Sequence, residues 1–248
     1  MRLYEKLLKL PDALLGFYFS DPEKDGEYRF IAKYIKENMT IFDVGANVGD
    51  YTKKLVSITP RLNIYCFEPV KSTFNTLNKN LESTKADFIK TFNFGYSDKS
   101  ETLSMNIYGD GAGSNSLYFH EYHADVANSL KIELKVEEVN LKRLDDFILA
   151  NNITSIDFLK IDVEGHEFKV LLGAPKSLES NTIKCLQFEY NDYWIKSGHK
   201  LEAVMKLLSS FNFDIYRLTP WGKLKVGKFK KSLENYKTSN YIAIKRIP

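Results

Sequence analysis

Cysteine is nearly absent. Only Cys66 and Cys185 occur in 248 residues, and each sits inside an apolar, strand-like run. Thiols placed this way predict buried, unpaired side chains rather than a disulfide or a metal pair, and they point to a reducing compartment. Also missing is any apolar run long enough to span a bilayer. Residues 1–15 interleave Arg2, Glu5, Lys6, Lys9 and Asp12 with leucines, which predicts an amphipathic helix in place of the unbroken apolar region of a signal peptide. The expectation is a soluble, cytoplasmic protein with no stable membrane insertion. Neither sign of charge prevails: 35 lysines and arginines face 32 aspartates and glutamates, a formal net charge of +3, without the basic stripe of a dedicated nucleic-acid binder. Internal repeats and low-complexity linkers are lacking as well. With 44% hydrophobic residues, the chain has the means to bury one substantial core.

What is present is an alternation of strand-like and helix-like patterns, the rhythm of a mostly parallel sheet covered by helices. Helices are expected over residues 26–38, 50–59, 72–81, 141–151, 167–172 and 201–211, and strands over 40–44, 62–67, 88–94, 155–161, 183–188, 213–218 and 240–246. Residues 1–39 are expected to form a helical extension packed on a domain of residues 40–248. Residues 101–139 break the rhythm with strand-like pieces around a turn-rich loop at 109–116. That loop is too long for a plain connector and could close over a substrate. Lys223, Lys225, Lys228, Lys230 and Lys231 alternate like the wet face of an edge hairpin, the competing reading being attraction of a phosphorylated sugar. Tyr190, Tyr193 and Trp194 read first as core or interface, the competing reading being a stack on a sugar face.

Ligands of an open parallel sheet bind outside the carboxyl ends of its strands. Five successive strand ends here are polar or glycine-rich: 43–49, Glu68, 95–98, 162–166 and 189–191. The first is a strand, Thr40 to Val44, running into Gly45-Ala46-Asn47-Val48-Gly49-Asp50. Glycine and asparagine accept left-handed backbone, so a ligand can lie against the peptide groups near the amino end of the following helix. Glu68 lies 19 residues beyond Gly49, where a doubly wound fold places the acid that receives ribose hydroxyls. The turn is not Gly-x-Gly-x-x-Gly, and Asp43 precedes it. A carboxylate there repels a pyrophosphate and welcomes a sulfonium, so the cofactor expected is S-adenosyl-L-methionine.

The segments Asp43-Val-Gly-Ala-Asn-Val-Gly49, Phe67-Glu-Pro69, Gly95-Tyr-Ser-Asp98, Leu144-Asp-Asp146 and Phe158-Leu-Lys-Ile-Asp-Val-Glu-Gly-His-Glu167, in that order, make residues 40–246 resemble the FkbM family of S-adenosylmethionine-dependent methyltransferases. The resemblance implies the class I methyltransferase fold: an α/β, Rossmann-like sheet of seven mostly parallel strands, the last antiparallel, with helices on both faces. It implies O-methylation of a sugar or another small hydroxylated acceptor, with bacterial capsule or lipopolysaccharide biosynthesis as the setting. It also implies that Asp43, Gly45, Ala46, Asn47 and Gly49 line the methionine and ribose of the cofactor, that Glu68 binds the ribose hydroxyls, and that Gly95 and Ser97 lie near the adenine.

Methyl transfer to a hydroxyl needs an in-line approach and a base for the departing proton. The fourth strand end offers three candidates. His166 titrates nearest neutrality, Asp162 stands at the strand end beside the methyl donor and cofactor, and Glu164 could orient His166 or bind the acceptor. Lys160 has the parity to hold a carboxylate. Asp162, Glu164, Glu189 and Asn191 are also oxygen ligands of the kind Mg²⁺ accepts, but their spacing does not enforce a site and no metal is expected. Competing readings are a nicotinamide-dependent oxidoreductase, disfavoured by the glycine pattern and Asp43, and a catalytically silent subunit of the same fold.

Overall fold

The computed structural model describes residues 21–86 and 88–246; the helix expected over residues 1–15 lies outside them. In chain order the elements are α1 (Glu27–Tyr34), β1 (Thr40–Val44), α2 (Asp50–Ile58), β2 (Asn63–Phe67), α3 (Lys71–Leu81), β3 (Phe88–Phe92), β4 (Gly95–Tyr96), β5 (Glu101–Ile107), α4 (Glu121–Ser129), β6 (Lys135–Lys142), α5 (Leu144–Ala150), β7 (Phe158–Ile161), α6 (Glu167–Leu172), α7 (Pro175–Glu179), β8 (Cys185–Tyr190), α8 (Tyr193–Ser197), α9 (Leu201–Ser210), β9 (Phe213–Thr219), β10 (Gly222–Val226) and β11 (Ser239–Lys245).

The main sheet has the order β10-β9-β11-β8-β7-β1-β2-β3. β3, β2, β1, β7 and β8 are parallel neighbours, and β11 is inserted antiparallel between β8 and β9. This is the arrangement that the family resemblance implies, with eight strands rather than seven. The extra strand is β10, which pairs antiparallel with β9 at the sheet edge. It comes from the lysine-rich run: Lys223 and Lys225 are exposed while Val226 is buried, and lysines on an edge discourage pairing with another chain.

Apolar side chains cover both faces of the sheet. On one, Phe30, Ile31 and Ile35 of α1 and its exit pack with Leu55 of α2, Leu77 of α3 and the inward residues of β1, β2 and β7. On the other, Leu144 and Phe147 of α5, Val170 of α6, and Val204 and Leu208 of α9 pack against Phe42, Phe67, Leu159 and Phe188. Cys66 and Cys185 are buried free thiols. Tyr190 and Trp194 are fully buried in the second of these clusters.

Two boundaries differ from the sequence reading for a physical reason. The helix expected from residue 141 begins at Leu144, because Leu141 and Lys142 complete β6, which pairs with β4 and β5 in a separate three-stranded sheet. The helix expected to reach residue 38 ends at Tyr34, and Asn38 turns the chain with φ 64°. The small sheet and α4 make a lobe above the carboxyl ends of the main strands. Its core is modest: Val70, Met105, Ile107, Val139 and Leu141, with Tyr108, Ala124 and Ala127 under α4.

Candidate active site

The carboxyl ends of β1, β2, β7 and β8, together with the lobe, enclose a cavity of about 510 Å³, within the size range of small-molecule sites. Its first wall is the turn after β1. Gly45, Asn47 and Gly49 all have left-handed backbone, with φ of 81°, 48° and 90°. The amides of Gly45 and Ala46 donate to the Phe67 carbonyl, each at 3.0 Å. A Cβ on Gly45 would lie 1.8 Å from the Asp162 carbonyl oxygen, so only glycine lets β1 and β7 deliver their loops side by side. Asn47 lines the cavity, and its Oδ1 is buried without a hydrogen-bond partner.

Glu68 lies at the end of β2, where its Oε2 accepts from the Asn47 amide at 3.1 Å and its Oε1 from the Val70 amide at 2.9 Å. Burial pushes its carboxyl up to about 7, against the pull of those two amides. Two amides leave lone pairs on both oxygens free to accept from hydroxyls. Gly95 lines the cavity next to Leu141.

Three residues expected at the cofactor do not line the cavity. Asp43 is fully buried beneath the turn, where its Oδ2 accepts from Thr52 Oγ1 at 2.7 Å. It pairs in register with Lys160 of β7, and burial holds its carboxyl above the ordinary range despite that lysine. Gly49 and Ser97 also stand outside the lining. A side chain's position in a motif gives its place along the chain, whereas strand parity decides which way it faces.

Lys160 organises the charge. Its ammonium donates to Asp162 Oδ2 at 2.7 Å and lies 4.7 Å from the Tyr51 ring centroid. Burial disfavours its charge, but Asp162, Asp43 and Glu27 outweigh that and hold it protonated. Glu27 reaches the cavity from α1, accepting from Gln187 Nε2, and burial pushes it up to about 8. Gln187 also donates to Asn240 Oδ1 at 3.0 Å, and Asn240 Nδ2 donates to Asp25 Oδ2 at 3.0 Å. The sequence reading missed Glu27. Its spacing of three and four from Phe30 and Ile31 puts it on the buried helix face, which was the available signal.

Asp162, Glu164 and Glu189 bring carboxylate oxygens within 4.8 Å of one another. Asn191 Nδ2 bridges Glu164 Oε2 at 2.8 Å and Glu189 Oε2 at 2.6 Å. Burial, and then the neighbouring carboxylates, raise Glu164 and Glu189 well above the ordinary range. Lys160 pairs with Asp162, and the carboxyls of the cluster are donors of the type a hard divalent ion takes.

His166 lines the cavity, but both ring nitrogens are engaged. Ser97 Oγ donates to Asp98 Oδ1 at 3.1 Å, so it accepts from His166 Nε2 at 3.0 Å. That leaves Nδ1 to accept from the Tyr118 hydroxyl at 2.8 Å. Burial, with His199 nearby, lowers the imidazole to about 4, Asp98 opposing.

The lobe contributes a second imidazole. His123 of α4 lines the cavity and stacks on Tyr193, ring centroids 5.4 Å apart and planes 4° from parallel. His120 stands edge-on to both, at 4.9 Å from each, with Nε2 3.3 Å from Asp192 Oδ2. Tyr193, expected first as core, is both buried and part of this wall, and its hydroxyl donates to the Ser114 carbonyl at 2.6 Å. That contact ties the 109–116 loop to the rim. The paired histidines three residues apart, directly after a loop already singled out, were the sequence signal for this wall.

A family model described as "Methyltransferase FkbM domain" matches residues 43–215. The chain is 27% identical over 193 residues to Methyltransferase 1 of Beauveria bassiana, covering 70% of this chain and 76% of that one. It is 26% identical over 183 residues to the 2-O-methyltransferase NoeI of Sinorhizobium fredii, covering 71% and 73%. It is 24% identical over 181 residues to the hexuronic acid methyltransferase AglP of Haloferax volcanii, covering 73% and 66%.

Proposed function

The chain belongs to the FkbM methyltransferase family and is an S-adenosylmethionine-dependent methyltransferase, and from that premise we propose that its acceptor is a hydroxyl of an uncharged sugar or sugar-containing precursor. A surface polysaccharide is the setting we propose, with the enzyme in the cytoplasm. Among the described residues no helix is long and apolar enough to cross a membrane. The name of NoeI, a 2-O-methyltransferase, supports an oxygen acceptor, and that of AglP, a hexuronic acid methyltransferase, supports a sugar.

The observation that carries the uncharged acceptor is the lining of the cavity. Glu27, Asp50, Glu68, Asp162, Glu164, Glu189 and Asp192 face it against a single lysine, Lys160. Carboxyl groups and Asn191 offer the acceptors and donors that sugar hydroxyls need, while a phosphate or a uronate would find as its only lining lysine or arginine an ammonium already held by Asp162. The exposed lysines of β10 lie outside the lining, so they offer no counter-charge there.

In this reading the cofactor lies along the first wall. Glu68 accepts from the ribose hydroxyls, Asn47 Oδ1 gains the partner it lacks, Gly45, Ala46 and Gly95 leave room for close approach, and Asp162 faces the sulfonium. Asp43 acts from below by fixing Thr52 and Lys160. Bound there, the cofactor supplies an electrophilic methyl carbon on a positively charged sulfur. Glu164, Glu189 and Asn191 hold acceptor hydroxyls in line with that carbon, where orientation alone is worth an effective molarity of about 10⁵ M or more. His166, with both nitrogens occupied, holds the 162–166 loop rather than the acceptor.

The test supplies methyl-labelled S-adenosylmethionine with three acceptor sets: neutral methyl glycosides, hexuronates and sugar phosphates. The expected result is label on an oxygen of a neutral glycoside. Label confined to the anionic sets, or found on nitrogen, overturns the reading. The variant Asp162→Asn should retain cofactor binding more weakly and lose turnover.

A further inference from the structure

We propose that His123 is the base that takes the acceptor's proton, with His120 and Asp192 as positioning residues that hold it over the cavity. The proposal deepens the reading above and rests on the acceptor atom being a hydroxyl oxygen.

Three geometric facts carry it. First, His123 reaches the cavity from the lobe and lines it together with Asp192 and Tyr193. Second, among the described residues no hydrogen bond reaches either of its ring nitrogens, whereas His166 has both engaged. A base needs a lone pair directed at substrate, and His123 has one to offer. Third, the ring is already held. It lies flat on Tyr193, and His120 braces both rings. The His120 amide donates to the Tyr108 hydroxyl at 2.6 Å, and Asp192 stands beside its imidazole. An aromatic stack fixes the plane of the base without using its nitrogens, which is the arrangement that proton transfer in a set direction requires.

The ionisable groups facing His123 are His120 and Tyr122 from α4 itself, Tyr108 beyond β5, and Tyr193 and Asp192 at the start of α8. Burial and then His120 lower its affinity for a proton below the ordinary 6.5, and Asp192 opposes them. It is therefore a neutral imidazole at pH 7. In the transfer, the hydroxyl proton passes to an imidazole nitrogen while the oxygen's electron pair forms the bond to the methyl carbon. The electron pair of the breaking carbon–sulfur bond stays on sulfur. The products are a methyl ether, neutral S-adenosylhomocysteine and an imidazolium, which Asp192 stabilises until the proton leaves to solvent.

The experiment uses the full chain with methyl-labelled S-adenosylmethionine, offered the neutral glycoside set and a glycan extract. His123→Phe keeps a ring on Tyr193 and removes both nitrogens; His123→Ala leaves space for added imidazole. Calorimetry with S-adenosylhomocysteine should give affinities within about 2-fold of the wild type for both variants, while turnover falls by a factor of about 10² or more. Added imidazole should restore His123→Ala and leave His123→Phe unchanged. The wild-type kcat/KM should fall at acid pH through an ionisation below 6.5, and that limb should vanish in the rescued variant. If His123→Phe methylates a hydroxyl as fast as the wild type, or His123→Ala is not rescued, the proposal fails while the hydroxyl reading stands. If the wild type labels no hydroxyl in either acceptor source, the reading fails and the proposal with it.

Discussion

His166 makes a quantitative claim about stability. Its side chain is 5% exposed, its ring nitrogens are held by Tyr118 and Ser97, and its affinity for a proton falls from the ordinary 6.5 to about 4. A base lowered in the folded state has a definite sign: the unfolded chain takes up the proton first as pH falls. The stability linked to this residue is therefore complete above 6.5 and is lost between 6.5 and about 4, a change of about 3 kcal/mol at about 1.4 kcal/mol per unit. The perturbation is His166→Gln, which removes the titration and keeps one donor and one acceptor. The assay is urea unfolding of both proteins at a series of pH values. Whatever the variant costs at pH 8, the gap to the wild type should close by about 3 kcal/mol by pH 4. The imidazole C2 proton should also stay unshifted through pH 6 in the wild type. A gap independent of pH, or an imidazole that titrates near 6.5, would refute the account and return His166 to candidacy as the base.

Glu68→Gln keeps one acceptor oxygen but loses the carboxylate that, on the reading proposed above, faces the ribose hydroxyls. Calorimetry should show S-adenosylhomocysteine binding about 10 to 100-fold more weakly, the loss of one or two charge-assisted bonds, with turnover at saturation little changed; unaltered affinity would remove Glu68 from the cofactor. Turnover should persist in excess chelator, because Lys160 already pairs with Asp162 and the Asn191 amide with Glu164 and Glu189. Turnover abolished by chelator and restored by Mg²⁺ would instead make Asp162, Glu164 and Glu189 a cation site.

Much of this was legible because a parallel sheet writes its site into the chain at regular intervals. The ends of β1, β2, β7 and β8 each fall where an apolar run meets Gly45, Glu68, Asp162 or Glu189, and the fold then brings these ends to one edge. Direction was harder to read than place. Asp43 and Ser97 sit in motifs that line the cavity through Gly45 and Gly95, yet they turn away from it into Thr52 and His166. The lobe was the least legible part. β6 alternates charged residues on an exposed face, and α4 buries only Ala124 and Ala127, so neither carries a strong apolar period. His123 therefore became visible only once Tyr193, far along the chain, was found beneath it.

Glu27 gives the amino-terminal helix a consequence beyond packing. Through Gln187 and Asn240, α1 is joined to two neighbouring strands, β8 and β11, and it supplies part of the floor beside Lys160. A fragment beginning at Thr40 would thus lose a wall of its own binding chamber, although every family motif would remain. Conversely, ligand occupancy should be readable as slowed amide exchange in residues 27–34.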